Sequence, residues 1–424
     1  MPVSMNLSQN FSKAIKLPPT PKGRSTRTTL LKNAHTLFKE KGYYASSISE
    51  ICHRSNVTMG TFYKYFRNKE EIFSELTHLI VQDFKNKIGE MDLYPLDFEE
   101  RFRKNFSFLF KYIKENFHFH KILGESELVD RVTISFYENI VQYYKKYIQK
   151  EIREGKIKKL DPLALAYGLI GISYFNAFEW LKWKRRKTTE KTIDLLIDFI
   201  LNGINGVTPL KKSMTMPPPP SPDKLLQPPI ERELSRGDQT KNNLFQAAEE
   251  IFGHYGFNRA SIAEITRRAN VALGTFYIYF KNKEDILESL VKHICHQMRK
   301  EIQMAVFSIE DRREAERVGI LKFFEFAREH QAIYRLIPET EMVNAEVGKW
   351  YYQKIAKGYI QGLRKGIEAG QIRKQDPELI AYSLMGLTHF IALRWIVWNP
   401  STRAKGQLKI FNDVMEFILY GLRR

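Results

Sequence analysis

Apolar residues recur at helical intervals along most of the chain. The first clear run is Leu30, Leu31, Ala34, Leu37 and Phe38, and the same spacing returns at Leu244, Phe245, Ala248, Ile251 and Phe252. This is the period of a helix with one buried face. Gly42 and Gly256 stand where those helices should stop, since glycine readily takes the left-handed conformation that closes a helix. Ser47-x-x-Glu50 and Ser261-x-x-Glu264 come next, each a capping-box pattern that opens a new helix. No run alternates polar and apolar residues for long enough to demand a sheet. The expected fold class is all-α.

The pattern occurs twice. "VTMGTFYKYFRNKEEI" (57–72) and "VALGTFYIYFKNKEDI" (271–286) match at eleven of sixteen positions, 214 residues apart. At the same offset "LLKNAHTLFKEKGY" aligns with "LFQAAEEIFGHYGF", and "KILGESELVD" with "RLIPETEMVN". After one inserted residue, "EGKIKKLDPLALAYGLIGI" aligns with "AGQIRKQDPELIAYSLMGL". A period this long marks duplicated domains, not a solenoid. Eight of the seventeen prolines fall between Pro209 and Pro229, so residues 207–237 are expected to be a linker with polyproline character between the copies.

Composition narrows the partner. The net charge is +19 and both halves carry an excess of Lys and Arg, which suits a polyanion such as nucleic acid, or an anionic membrane surface. The two cysteines, Cys52 and Cys295, exclude a disulfide scaffold and suit a reducing compartment. The first residues lack the apolar stretch of a signal peptide, so a cytoplasmic location is expected. The longest uncharged run, Pro162 to Phe178, spans seventeen residues. It is too short and too polar for a membrane span and reads as a buried helix.

Residues 47–72 carry the chemistry. A short helix presents Ile48, Ile51 and Cys52, a break follows at Ser55-Asn56, and a second short helix begins near Thr58. Phe62 and Phe66 are four apart and share an inward face. Gly60, Thr61, Tyr63, Lys64 and Arg67 lie on the other side. Two short helices with a tight break, the second polar and aromatic outward, fit a helix-turn-helix whose second helix enters a DNA major groove. Gly60 and Gly274 would let backbone approach a phosphate. Thr61 and Thr275 can donate to phosphate, and Tyr63 and Tyr277 can contact phosphate or base. Asn68 and Asn282 suit N-caps. Lys69 and Lys283 place a cation in the first turn of the next helix, against its dipole. A bound phosphate there would account for that placement; a solvated lysine beside Glu70 and Glu71 is the plainer alternative.

The two segments with their flanks, S-[SI]-x-E-I then N-V-x-x-G-T-F-Y-x-Y-F-x-N-K-E, strongly resemble the DNA-binding domain of TetR/AcrR-family transcriptional regulators. Residues 1–27 carry Lys13, Lys16, Lys22, Arg24 and Arg27 and no acid, so a basic arm over 1–25 is expected to lie along a DNA backbone or in a minor groove, with a solubilising tail as the alternative. The resemblance implies a helix-turn-helix domain over 26–74 and a helical regulatory domain over 75–206. Beyond the linker it implies a second helix-turn-helix domain over 238–288 and a second regulatory domain over 289–424. By position, operator contacts fall on Ser46, Ser47, Thr58, Gly60, Thr61, Tyr63, Lys64, Tyr65 and Lys69. In the second copy they fall on Ser261, Gly274, Thr275, Tyr277, Tyr279 and Lys283; Ala260 replaces Ser46 there. Family members act as homodimers on palindromic operators, so two fused copies are expected to act as a covalent pseudo-dimer, with further homodimerisation left open. Lys64 becomes Ile278, Thr58 becomes Ala272 and His53 becomes Arg267. A lysine can donate to guanine whereas an isoleucine can meet a thymine methyl, so unlike half-sites and an imperfect palindrome are expected.

The resemblance also implies an apolar effector pocket among the middle helices, with Phe110, Glu125, Phe324 and Glu339 as candidate lining or anchoring residues; an aromatic core and ordinary paired glutamates are the plainer reading. The helices from Asp161-Pro162 and Asp376-Pro377 resemble the family's dimerising pair, and their small residues Gly168, Gly171, Ala177, Ala381, Gly386 and Ala392 would permit close approach. No phosphate loop, hydrolase elbow or metalloprotease motif occurs, so neither enzyme activity nor a cofactor is expected. His293 and His296 share a helix face, but Leu79 replaces His293 in the first copy, and no metal is assigned. The expected function is a DNA-binding transcriptional regulator, as a repressor, released by a small apolar ligand. The alternatives are a helical interaction protein or a non-specific nucleic-acid binder.

Overall fold

The computed structural model describes residues 18–93, 96–117, 119, 123, 127–179, 190–210, 235–398 and 404–424. The fold is all-α, and among the described residues the only extended pairing is two isolated β-bridges. The chain divides into two compact units, Met1–Ile80 and Val81–Arg424.

The first unit holds α1 (Pro21–Lys41), α2 (Ile48–Arg54), α3 (Met59–Tyr63) and the start of α4 (Lys69–Gly89). Thr20 caps α1 and proline opens it, so Lys22, Arg24 and Arg27 are helical and not part of an arm. Residues 1–17, with Lys13 and Lys16, lie outside the described residues. Gly42 stops α1 at φ 86°. Leu30, Ala34, Leu37, Phe38, Ile51, Phe62, Ile72 and Phe73 form the core, and Phe38 meets Phe73 edge-on at 5.6 Å. Truncating such a phenylalanine costs about 3–5 kcal/mol. Arg27 is buried, pairs with Glu75 and lies over the Phe66 ring.

The second unit takes the rest of α4, then α5 (Phe98–Glu115), α6 (Glu127–Arg153), α7 (Pro162–Glu179) and α8 (Glu190–Asn202). The second copy follows: α9 (Arg236–Arg259), α10 (Ile262–Arg268), α11 (Leu273–Tyr279), α12 (Lys283–Val306), α13 (Arg312–Glu329), α14 (Gln331–Val343) and α15 (Ala345–Glu368). It ends with α16 (Pro377–Ala392), prolonged by a π-helical turn (Leu393–Val397), and α17 (Ala404–Tyr420). Buried Glu151 of α6 receives a two-pronged bond from Arg101 of α5, both arms 2.8 Å. Pro377–Val397 is apolar and long enough to cross a membrane by composition, yet it is mostly buried in the fold.

What buries it is α7. The two helices cross at Gly171 and Gly386, where a Cβ on either would stand 2.1 Å from the other's carbonyl oxygen. Only glycine permits that approach. Asn176 donates to the Ser383 hydroxyl across the same crossing at 3.0 Å. The chain ends repeat this reciprocity. Lys158 N–H donates to Leu422 O (2.9 Å) and Arg373 N–H to Ile204 O (3.0 Å). Ile204 N–H donates to Ile418 O (3.0 Å) and Leu422 N–H to Ile200 O (2.9 Å). The two β-bridges, Ile157 with Arg423 and Asn205 with Ile372, obey the same exchange of copies. Lys158 with Glu416 (3.2 Å) and Arg373 with Asp198 (2.5 Å) add matched ion pairs.

Candidate nucleic-acid interfaces

Each helix-turn-helix is built by the same local physics. Ser47 caps α2 and Glu50 returns the bond to the Ser47 amide; Ser261 and Glu264 do the same for α10. Hydrogen bonds from Lys41 and Ser47 hold the exposed Glu50 carboxyl at about 2. The turn after each first helix passes through a left-handed residue, Asn56 (φ 51°) or Asn270 (φ 54°). Asparagine tolerates that region better than other side chains with a Cβ. The chain is then held by Val57 N–H to Cys52 O (3.1 Å) and Val271 N–H to Thr266 O (3.0 Å).

The second helix of each pair buries one ring and exposes another. Phe62 and Phe276 are fully buried, while Tyr63 and Tyr277 are 53% and 56% exposed. Gly60 and Gly274 are exposed, and a Cβ on Gly274 would meet nothing within 4 Å. Thr61 and Thr275 are half-buried beside them, and Lys64 is exposed. Ile278 is 77% exposed at the position matching Lys64. Met59 and Leu273 are also exposed, large apolar side chains that sequence reasoning passed over. They stand three and seven residues before Phe62 and Phe66, or Phe276 and Phe280, so helical phase put them on the buried stripe and gave no signal of this exposure.

The two copies differ in capping. Thr58 accepts from the Thr61 amide at 3.2 Å and meets its hydroxyl at 3.0 Å. Ala272 makes no side-chain cap for α11. A cap of this kind contributes about 1 kcal/mol, so Thr58 has a structural task besides any contact with DNA.

Several candidates point elsewhere. The Ser46 hydroxyl is buried and donates to Gly42 O at 2.6 Å, so it is withdrawn as a DNA contact. Its counterpart Ala260 is equally buried, which explains why a hydroxyl can be lost there. Ser47 stays exposed, but its oxygen caps α2, as Ser261 caps α10. The Lys69 ammonium donates to Tyr43 O (2.6 Å) and Ser46 O (2.7 Å) and lies 4.4 Å from the Tyr43 ring centre. Lys283 likewise donates to Phe257 O (2.8 Å) and Ala260 O (3.0 Å), and burial pulls its pKa below the usual lysine value. These lysines tie the loop after α1 or α9 to the next long helix, which accounts for a cation at a helix start. Asn68 and Asn282 cap those helices, both at 2.8 Å. Tyr65 and Tyr279 are half-buried, their hydroxyls beside Gly23 and Gly237 at the starts of α1 and α9.

The effector candidates separate as well. Phe110 is packed in the α5 core. Phe324 meets Phe411 edge-on at 6.2 Å. Glu339 is buried and accepts from the Phe257 amide at 3.0 Å, so its carboxylate joins α14 to the end of α9. Glu125 lies outside the described residues. His293 stacks on Phe245 at 4.7 Å.

Comparison with known proteins matches these same segments. The family model described as bacterial regulatory proteins of the tetR family matches twice, at residues 30–76 and 244–290. An uncharacterised HTH-type transcriptional regulator, YhgD of Bacillus subtilis, is 27% identical over 38% of this chain and 86% of its own length. The fatty acid metabolism regulator protein of Bacillus subtilis is 27% identical over 42% of this chain and 93% of its own length. Among solved structures, the fatty acid degradation regulator FadR from Bacillus halodurans aligns with a TM-score of 0.39 at 20% identity, over 42% of this chain and 94% of its own.

Proposed function

The chain is a tandem duplication of the tetR-family unit and a transcriptional regulator, and from that premise we propose that it acts as a covalent pseudo-dimer on operator DNA. The observation that carries this reading is the pair of recognition helices, each offering an exposed glycine and tyrosine from a scaffold that buries the neighbouring phenylalanine. A free glycine admits a phosphate, and an exposed tyrosine can donate to one or to a base edge. A family unit on its own makes only half of a two-fold recognition surface. The reciprocal bonds between α7 and α16 and between the chain ends support pairing of the two copies within one molecule.

The contact set we propose is Gly60, Thr61, Tyr63 and Lys64 on one side, and Gly274, Thr275, Tyr277 and Ile278 on the other. Lys64 suits a guanine edge or a phosphate, whereas Ile278 beside Leu273 suits thymine methyls. The operator is therefore an imperfect palindrome. Binding represses, and a small apolar effector releases it; the relative named a fatty acid metabolism regulator favours a fatty-acid-derived one. The test is footprinting of the purified protein on the DNA upstream of its own coding sequence, with stoichiometry from light scattering. One chain per site is expected, with two unlike protected half-sites and affinity falling steeply with salt, as about 6–10 phosphate contacts require. Binding only as two chains per site would replace the pseudo-dimer, and equal affinity for any duplex would replace sequence-specific recognition.

A further inference from the structure

The contacts between the copies are reciprocal at most positions, and the exceptions are informative. Gly171 meets Gly386, its own counterpart. Lys158 meets Glu416 while the counterpart residues Arg373 and Asp198 meet each other. Such contacts would serve equally well if a first copy met a first copy or a second met a second. Other contacts lack this indifference, among them Asp161 N–H to Asp413 (2.9 Å) and Gln375 to Asp198 (3.2 Å), and two such places centre on a fully buried side chain.

The first is the start of α5 and α13. Glu99 pairs with Arg423 at 2.5 Å. The residue equivalent to Glu99 is Arg313, and the residue equivalent to Arg423 is Asn205. Arg313 is fully buried and donates to the Asn205 side-chain oxygen (2.8 Å) and to Thr208 O (2.8 Å), with Asp311 bracing it at 2.6 Å. If two second copies met, Arg313 would face Arg423. A guanidinium has donors only, so Arg423 could not accept the bond that Asn205 accepts, and two cations would share a buried site. If two first copies met, Glu99 would face Asn205 and lose its cation.

The second place is the α7–α16 crossing. Asn176 and Ser383 are both fully buried and hydrogen-bonded to each other. Their equivalents are Ile391 and Gly168. Two first copies would set the Asn176 amide against Gly168, which has no side-chain acceptor, and a buried donor left unpaired is costly. Its Oδ1 has no partner and its amide nitrogen also donates to Ile172 O at 2.9 Å, so Ser383 takes the one remaining N–H.

We propose that this face selects the unlike copy: the first repeat fits the second repeat of the tandem and rejects a second copy of itself, and likewise for the second repeat. The proposal rests on the intramolecular pairing put forward above. Glu99 and Arg423 are about half exposed and contribute little; the selection lies in buried Arg313 and Asn176. A duplicated chain needs such selection, because copies that paired equally well with themselves would cross-link into open chains.

The test uses the full chain carrying an inserted protease site between residues 220 and 221. Unlabelled and 15N-labelled preparations are cleaved, mixed and warmed until mixed-label pairs appear in native mass spectrometry. First-with-second pairs are expected almost alone, with like pairs below about one tenth of the total, roughly 1.4 kcal/mol of preference. A statistical mixture of like and unlike pairs would overturn selectivity while leaving pairing intact. Dissociation into single halves would overturn the pairing reading itself. In the same assay Arg423→Asn should raise second-with-second pairs at least tenfold, because Arg313 would then meet the acceptor it has now. No rise would remove Arg313 from the argument.

Discussion

Gly171→Ala tests the close crossing of α7 and α16. The new Cβ would stand 2.1 Å from Gly386 O, 2.6 Å from its carbonyl carbon and 3.0 Å from Leu387 N. All three are backbone atoms of the facing helix, so no side chain can rotate away. Reaching an ordinary contact of about 3.4 Å means parting the helices by roughly 1 Å, which opens the packing of Phe175 and Leu387 around the crossing. Overpacking of this kind costs about 1–3 kcal/mol, occasionally more, and the rigid obstacle places this case near the upper end. The second unit, Val81–Arg424, is larger than an ordinary domain, so a kcal/mol moves its melting by only about 1.4 °C, and it should melt on the order of 3–5 °C lower. Gly168→Ala is the control. It lies one turn earlier on the same helix, and its Cβ would meet Leu387 at an ordinary 3.6 Å. Glycine in a helix costs about 0.5–1 kcal/mol relative to alanine, so this change should be neutral or stabilising. The double variant Gly171→Ala/Gly386→Ala should cost less than the two singles together, since helices parted once accommodate the second methyl. Calorimetry of the unaltered protein, the single variants Gly168→Ala, Gly171→Ala and Gly386→Ala, and the double variant decides. Equal melting of the Gly168 and Gly171 variants would refute the close crossing.

Gly274→Ala separates stability from DNA binding: the Cβ enters open space, so melting should hold or rise, by at most about 1 kcal/mol, while operator affinity in a gel-shift assay drops if backbone meets phosphate there. Unchanged affinity would take Gly274 out of the contact set. Lys64→Ile should weaken the first half-site selectively, by about 1–3 kcal/mol if it reads a guanine, and a footprint with both half-sites unaltered would end the asymmetric reading. His389 is buried in α16 and its pKa is pushed down to about 3. A depressed histidine contributes stability that is present above its unfolded pKa of about 6.5 and is lost as pH falls below it. From pH 7 to pH 5 the loss should be about 2 kcal/mol, read from urea midpoints, and His389→Leu should flatten that slope; the same slope in the variant would assign the acid sensitivity to other groups. Lys283→Met should lower the melting temperature, because carbonyls of Phe257 and Ala260 lose their donor; a variant that melts normally but binds DNA poorly would return Lys283 to the phosphate.

Periodicity and spacing by themselves determined the helices, the duplication and the position of both helix-turn-helix motifs. These depend on residues three to five apart: the capping boxes at Ser47 and Ser261, the stop at Gly42, the left-handed break at Gly256 within α9, and the buried phenylalanines of α3 and α11. The small residues of α7 and α16 also announced a close approach, but not that Gly171 would meet Gly386. Only the tertiary structure decided where polar groups spend their hydrogen bonds. Ser46, Lys69 and Lys283 belong to the motif by position, yet their donors end on backbone carbonyls, since buried carbonyls need partners and these groups were within reach. Glu339 turned out to hold the Phe257 amide. The break in symmetry at Arg313 and Asn176 joins residues more than a hundred positions apart. No local pattern encodes such a pair, because each partner is satisfied only when the folded chain brings the other to it.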